Sequence, residues 1–260
     1  MILDKEILVV IPYLASGAQG SELELAVTGW RLFFRNPYHL LVVGDHHPVV
    51  ESGDDISFLP CPRIDPVEGQ YLPHLDMVNK FLAAMDSFPE DNLPDGFVYT
   101  CDDIYPTADF DIWDILVPKE PVRGFAVKPY DWRKGKPDWY SDKCKTAELC
   151  RLNSIPDRNW VCHLPVYYEL DKLMDIYAEF HCHERSFIVE NIYFNREFPV
   201  DVHARPERQY HDEVTTSAPD IRPLGSVKWV SNANSGWSPR LEQMLRHHYS
   251  AFGQDKPRAK

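Results

Sequence analysis

The sequence predicts an α/β protein with a mainly parallel, Rossmann-like sheet covered by helices and a helical extension at its carboxyl end. Two near-continuous apolar runs, 6–14 and 38–44, are typical of strands that are buried on both faces. Between them, Leu23, Val27 and Trp30 follow the spacing of an amphipathic helix. A strand, a helix and a strand within about forty residues form a βαβ unit, which makes the two strands parallel neighbours.

The composition fits a folded domain and argues against a protein that binds nucleic acid. The chain has 260 residues, of which 44% are hydrophobic, so it can bury a core without stabilisation by disulfide bonds or a structural metal. Its 27 basic and 40 acidic residues give a net charge of −13. This is the wrong sign for a protein that neutralises the phosphates of nucleic acid, and we expect no nucleic-acid partner.

The elements of the first half follow in order along the chain. Ser21 and Glu24 are spaced as a capping box at the start of the first helix, which we expect to end near Asn36 and Pro37. After the second strand come a short strand, a helix and a further strand, predicted over 56–59, 73–87 and 97–100. The first half therefore continues the alternation of strands and helices that a parallel sheet requires.

The second half of the sequence is less regular. Few aliphatic residues occur in 128–142, which we interpret as a surface loop or lid. The other predicted elements are a short helix at 109–115, a strand at 123–127, a strand or turn at 161–168, helices at 169–180 and 186–195, a strand at 226–230 and a helix from Ser238. We expect one domain over 1–252, followed by a tail over 253–260.

Signals for membrane insertion, export and disulfide formation are missing from the sequence. No apolar run approaches the roughly 18 to 20 residues that span a bilayer. The charged amino terminus leads into an apolar run that is too short for a secretion signal. The six cysteines include no C-x-x-C pair, so we expect reduced thiols. These features predict a cytoplasmic protein.

An acidic turn follows the strand predicted at 97–100. Asp102 and Asp103 lie there at the carboxyl end of a parallel strand, the edge at which open α/β sheets bind their ligands. Two neighbouring carboxylates supply the oxygen ligands that a hard divalent cation prefers, and they leave coordination positions for phosphate oxygens. The alternative is that one of them only caps the turn before Pro106. We predict a metal site at Asp102 and Asp103.

The ends of three predicted strands resemble the nucleotide-sugar domain of GT-A glycosyltransferases. The resemblance rests on Ile11-Pro12-Tyr13, Gly44-Asp45 and residues 98–104. In that family an Asp-any-Asp motif after a strand holds Mn²⁺ or Mg²⁺ on the diphosphate of the sugar nucleotide. Here Cys101 stands at the first position of the motif, Asp102 at the middle and Asp103 at the last. A thiol is a poor ligand for a hard ion, so Cys101 departs from the pattern.

The GT-A resemblance also implies roles for individual residues. Pro12, Tyr13 and Asp102 would contact the donor, a nucleotide sugar such as a UDP- or GDP-sugar. Asp45, at the end of the second strand, would hold the base or the ribose hydroxyls, and its alternative is a solvated turn. Asp103 would act in catalysis by holding Mn²⁺ or Mg²⁺ against the leaving diphosphate. Removing Asp103 would therefore abolish transfer.

A segment of the second half resembles other transferases. Cys162–Glu169, with Glu190-Asn191 after the next helix, is similar to a His-any-Pro segment of bacterial and phage transferases and to Stealth-type capsule sugar-phosphate transferases. His163 would then be a metal ligand or a phosphate partner, and Glu190 the catalytic base for the acceptor hydroxyl. The alternatives are a structural histidine and an exposed pair of helix residues.

Lys128 begins the one basic cluster in this acidic chain. Arg133, Lys134 and Lys136 follow it within the loop predicted at 128–142. Such a loop can close over a diphosphate, with Lys128 as a contact, or it can be simply solvated.

Together these residues favour a glycosyltransferase that moves a sugar from a nucleotide-sugar donor to a glycan acceptor in bacterial surface polysaccharide synthesis. The half over about 1–127 would bind the nucleotide, and the half over about 128–252 would face the acceptor. Two alternatives stay open: a non-catalytic carbohydrate-binding protein with a transferase-like fold, for which Cys101 argues, and a metal-dependent sugar-phosphate or nucleotidyl transferase. Fingerprints of dinucleotide-binding enzymes, P-loop enzymes and serine hydrolases do not occur.

Overall fold

The order of the strands and helices explains how the functional residues come together. The computed structural model describes residues 6–64, 72–127, 139–198 and 204–253. The strands are β1 Ile7–Tyr13, β2 Tyr38–Gly44, β3 Ile56–Pro60, β4 Gly96–Tyr99, β5 Ile104–Pro106, β6 Lys119–Glu120, β7 Val166–Glu169, β8 Arg205–Pro206, β9 His211–Val214 and β10 Trp229–Asn232. The helices are α1 Glu22–Phe33, α2 Pro73–Asp86, α3 Ile112–Leu116, α4 Trp139–Leu152, α5 Leu170–Phe180, α6 Val189–Glu197 and α7 Pro239–Gly253.

A mainly parallel sheet forms the centre of the fold. Its strands are arranged in the order β3-β2-β1-β4-β7. Strand β1 pairs in parallel with β2 and β4, and β2 pairs in parallel with β3, whereas β7 runs antiparallel to β4. A second sheet has the order β5-β10-β9. The central sheet is flanked by helices, which confirms the predicted fold class.

The central sheet separates two hydrophobic cores. Successive side chains of a strand point to opposite faces, so Val9 and Ile11 pack on one side of β1 while Leu8 and Val10 pack on the other. The first core includes α1, α7 and the second sheet. The second core includes α2, α5 and α6. Because both faces of the sheet are covered, its edges are the places where polar groups can reach a ligand.

Helix α7 is packed into the first core. Leu241 and Leu245 are fully buried there, and the hydroxyl of Tyr249 donates to the carbonyl of Pro106. The predicted helical extension is therefore an integral part of the domain. In the ranges that the structure describes, no helix has both the length and the apolar surface that crossing a bilayer requires.

Two predicted features of the chain are wrong. A strand does not form at 123–127, because the backbone turns where the amide of Gly124 donates to the carbonyl of Pro121 and Gly124 takes a φ of +70°. The capping box of Ser21 does not form either. The Ser21 hydroxyl donates to Glu242 of α7 at 3.0 Å and makes no side-chain hydrogen bond to the start of α1.

The predicted loop at 128–142 is partly corrected. Its last four residues belong to α4, which begins at Trp139. Residues 128–138 lie outside the described part of the chain, and with them the proposed diphosphate contact Lys128 and the rest of the basic cluster.

Candidate active site

Three parallel strands end at one edge of the central sheet and deliver the predicted residues there. Strand β1 ends with Pro12 and Tyr13, and β2 ends one residue before Asp45. Strand β4 ends two residues before Cys101. The register pairs Tyr13 with Gly44 and places β4 directly beside β1, so the three strand ends are neighbours. We call this the carboxyl edge.

A cluster of three potential metal-binding side chains lies at the carboxyl edge. One donor atom each from Cys101, Asp103 and His163 lies within 4.8 Å of the other two. Nε2 of His163 and Oδ1 of Asp103 are 3.0 Å apart, which is hydrogen-bond distance. The three side chains are all half-buried. We call this group the Cys–Asp–His cluster.

The electrostatics of the cluster couple His163 to Asp103. Burial opposes the charged form of the imidazole, but the charge of Asp103 and its hydrogen bond raise the pKa of His163 well above its usual value. Burial also raises the pKa of the Cys101 thiol. These two pKa shifts favour the imidazolium form of His163 and the neutral thiol form of Cys101.

A buried network fixes the position of His163. The carboxylate of Glu207 accepts a hydrogen bond from the backbone of His163 and lies 3.1 Å from Nδ1 of His211. Nε2 of His211 is in turn 2.7 Å from the hydroxyl of Ser231 on β10. The rings of His163 and His211 are edge to face, with centroids 6.4 Å apart. Strands β9 and β10, which the sequence predicted only in part, thus support the cluster.

Asp102 lies beside the cluster but its carboxylate is not among the three converging donor groups. Burial, the charge of Asp103 and the charge of Glu22 raise the pKa of Asp102 to about 8. Glu22 is itself held by Asn232, whose Nδ2 donates to it at 2.8 Å. The role of Asp102 as a metal ligand and donor contact stays a prediction.

A cavity of about 190 Å³ opens next to the cluster at the carboxyl edge. The cavity is lined by Pro12 and Tyr13, which the sequence predicts as donor contacts, and by Cys101. Helix α2 closes its other side with Pro73, His74, Asp76, Met77 and Lys80. Cys101 therefore belongs both to the cavity and to the Cys–Asp–His cluster.

The polar groups on the α2 side of the cavity were not predicted from the sequence. Nδ1 of His74 is 3.0 Å from the buried carboxylate of Asp142 on α4, which also accepts a hydrogen bond from Ser186. Lys80 forms a buried ion pair with Asp76 one helical turn earlier. The i, i+4 spacing of Asp76 and Lys80 is visible in the sequence, whereas the contact between His74 of α2 and Asp142 of α4 depends on the tertiary structure.

A larger hollow, of about 420 Å³, lies at the opposite edge of the sheet. It is lined by Leu8, His39, Asp95 and Gly96, near the amino ends of the parallel strands. Ligands of open α/β sheets bind outside the carboxyl ends, and convergent polar groups mark such sites. We therefore place the candidate active site at the smaller cavity.

Asp45 has a structural role at the carboxyl edge. Its carboxylate accepts a hydrogen bond from the backbone of Ala15 at 2.8 Å, which ties the loop after β1 to the end of β2. Its proposed contact with the nucleoside stays a prediction.

Glu190 lies in the interior of the protein. It is 8% exposed, and its carboxylate is 3.4 Å from the backbone nitrogen of Cys162, the neighbour of His163. Burial raises the pKa of Glu190 to about 8. The structure thus links Glu190 to the segment that carries His163, while its role as the catalytic base stays a prediction.

The raised pKa of Glu190 predicts a specific dependence of stability on pH. A folded pKa of about 8 exceeds the unfolded value, so the native state holds an extra proton between these values and loses stability as the pH rises through them. Glu190→Gln removes this loss. We expect the unfolding free energy of the variant minus that of the wild type to increase by on the order of 2–4 kcal/mol when the pH is raised from 5 to 9.

Chemical denaturation at several pH values measures this gain. Glu148→Gln provides a matched control, because Glu148 is an exposed glutamate on α4. A pH-independent difference between the wild type and Glu190→Gln would contradict the prediction.

The donor set of the cluster does not fit the ion that the GT-A resemblance implies. Mg²⁺ and Mn²⁺ prefer oxygen ligands, whereas the cluster offers sulfur, oxygen and nitrogen. The prediction of Mn²⁺ or Mg²⁺ at Asp102, Asp103 and His163 therefore lacks the expected all-oxygen ligands.

Comparison with known proteins adds a weak structural likeness. The sequence matches no protein-family model and is not detectably similar to any curated protein. Among solved structures, the chain is similar to the apo form of the glycosyltransferase GlyE of Streptococcus pneumoniae TIGR4, with 12% identity and a TM-score of 0.41. The alignment covers 96% of this chain but only 63% of GlyE. At this identity and TM-score the likeness assigns neither a family nor an activity.

Proposed function

We propose that the chain is a glycosyltransferase that takes its sugar from a nucleotide-sugar donor. The observation that carries the proposal is the position of Cys101, which joins a cavity lined by Pro12 and Tyr13 to the Cys–Asp–His cluster. A donor needs a hollow for its nucleoside and, directly beside it, charged groups that act on its diphosphate. The carboxyl edge combines both.

In this proposal the cavity holds the nucleoside. Its volume of about 190 Å³ is sufficient for one heterocyclic ring. The ring of Tyr13 is fixed by an edge-to-face contact with His47, at 5.6 Å between centroids. Asp45, next to the end of β2, would contact the ribose.

The leaving diphosphate would lie against the Cys–Asp–His cluster. As the bond between the anomeric carbon and the diphosphate oxygen breaks, negative charge develops on that oxygen. His163, whose pKa Asp103 raises against the effect of burial, would donate a hydrogen bond to this oxygen. Asp103 keeps the imidazole charged and oriented, and this explains why it is proposed to be essential.

The acceptor is proposed to be a glycan, as in the surface polysaccharide synthesis that the sequence resemblance implies. Glu190 would take the proton of the acceptor hydroxyl, because its raised pKa suits a general base near pH 8. Acceptor binding has to open a path to this carboxylate, which is buried in the free protein.

A substitution that fills the cavity tests the proposal. Met77 lines the cavity and is partly exposed at the margin of the second core, so Met77→Trp should occupy the space of the nucleoside. With a panel of nucleoside diphosphates and nucleotide sugars, we expect at least one to raise the melting temperature of the wild type. We expect the affinity of Met77→Trp for the same ligand to be lower by at least about 100-fold.

Met174→Trp is the matched control, because Met174 is an exposed residue of α5 outside the cavity. Binding that survives in Met77→Trp would contradict the placement of the nucleoside. The products then separate the transferase classes: sugar transfer releases a nucleoside diphosphate, and sugar-phosphate transfer releases a nucleoside monophosphate. Nucleotidyl transfer consumes a triphosphate and releases pyrophosphate.

A further inference from the structure

The cluster at the end of β4 has the ligands of a borderline transition metal. Cys101 offers a thiol sulfur, Asp103 a carboxylate oxygen and His163 an imidazole nitrogen, all within 4.8 Å. Sulfur and nitrogen together favour ions such as Zn²⁺ and disfavour Mg²⁺, which demands oxygen ligands. We propose that these three side chains form a binding site for a Zn²⁺-like ion rather than for Mg²⁺ or Mn²⁺.

The spacing of the cluster suits this ion. Two ligands at about 2.0–2.1 Å from a tetrahedral Zn²⁺ lie about 3.3 Å apart. Nε2 of His163 and Oδ1 of Asp103 are already 3.0 Å apart, so a small adjustment admits the ion between them. Three protein ligands leave a fourth position open, which is the arrangement of catalytic rather than structural zinc sites.

The surroundings of the cluster support coordination. The hydroxyl of Tyr99 is 2.8 Å from Sγ of Cys101, and a metal-bound thiolate can only accept, so Tyr99 would donate to it. The hydrogen bond from the backbone of His163 to Glu207 fixes the main chain that carries the imidazole. Groups of this kind orient the ligands of metal sites and raise the affinity for the ion.

The proton balance of binding follows from the ligands. The thiol of Cys101 loses its proton to the solvent and becomes a thiolate, and the imidazolium of His163 loses one of its protons in the same way. The ion then provides the positive charge that the imidazolium provides in the free protein. Ion binding is independent of the proposed function, and only the role of the ion in transfer depends on it.

Titration of the metal-free protein with Co²⁺ tests the site, because cobalt replaces zinc in such ligand sets and a cobalt–thiolate bond absorbs in the near ultraviolet. We expect this band in the wild type, its loss in Cys101→Ser, and its retention in Cys144→Ser, the other described cysteine that is not buried. Zn²⁺ should abolish the band, and excess Mg²⁺ should leave it unchanged.

A second variant retains Cys101 and shows whether weaker binding comes from a lost ligand or from misfolding. His163→Gln should weaken Co²⁺ binding by at least about 10-fold while its melting temperature shows that it is folded. Absence of the band in the wild type, or its persistence in Cys101→Ser, would overturn the proposal.

A surface group on the described part of the chain, formed by His181, His183 and Glu184, can also bind metal but contains no sulfur. His183→Ala should therefore leave the thiolate band intact. Nucleotide binding measured on the same wild-type sample separates the two proposals: nucleotide binding without a cobalt band in the wild type means that the metal site fails and the proposed function stands.

Discussion

Replacing Asp103 by asparagine should lower the rate of sugar transfer by at least about 100-fold, the usual cost of removing a group that stabilises developing charge. Asp103→Asn removes the charge that keeps His163 protonated and the carboxylate of the Cys–Asp–His cluster. The side chain of Asp103 is 24% exposed and pairs with His163 rather than with the core. We therefore expect the unfolding free energy to change by less than about 1 kcal/mol.

Release of nucleoside diphosphate from the donor measures this effect. Asp109 offers a matched control, since it is an exposed acid that pairs with Arg35, away from the cluster. Asp109→Asn should transfer at the wild-type rate. Unchanged activity of Asp103→Asn would show that the cluster does not take part in the reaction.

Replacing Gly44 by alanine should destabilise the protein by about 3 kcal/mol or more. Gly44 ends β2 with a φ of +139°, which other residues rarely adopt. A Cβ atom there would lie 1.9 Å from the carbonyl oxygen of Tyr13 and 2.9 Å from the side chain of Lys80. Because Tyr13 and Lys80 both line the cavity, the substitution should also weaken nucleotide binding.

Urea denaturation of Gly44→Ala and of a control gives the stability change. Gly253 is the control, because an added Cβ meets no atom within 4 Å at the end of α7. Gly253→Ala should be neutral or slightly stabilising, as expected for alanine in a helix. Equal stability of the two variants would mean that β1 and β2 do not approach as closely as described.

The βαβ start of the fold could be predicted because its signals are local. The runs at 6–14 and 38–44 are apolar on both faces, and only buried parallel strands tolerate this pattern. The structure places β1 at Ile7–Tyr13 and β2 at Tyr38–Gly44, as predicted within two residues.

Strand β9 could not be predicted from the sequence. His211–Val214 contains two acidic residues among four, and such a pattern does not indicate a strand. It forms because it pairs in parallel with β10 and because His211 bonds Ser231 across the pair. The second sheet therefore depends on tertiary contacts that cannot be recognised in the local sequence pattern.

The Cys–Asp–His cluster was predicted in part. The sequence suggested Asp102, Asp103 and His163 as ligands of one ion. Residues 101–104, however, form a turn, in which the amide of Ile104 donates to the carbonyl of Cys101 at 3.3 Å. Cys101 and Asp103 accordingly converge with His163, and Asp102 lies outside the group. The sequence already showed a thiol in place of the first carboxylate, whereas the convergence of Cys101 with His163 depends on the tertiary structure.

The most direct test of the account is a crystal structure of the protein with a nucleoside diphosphate. The account predicts that the base lies in the cavity beside Pro12 and Tyr13, with the diphosphate at Cys101, Asp103 and His163. A nucleotide bound in the hollow beside His39, at the opposite edge of the sheet, would contradict it, as would a protein that binds a glycan but no nucleotide.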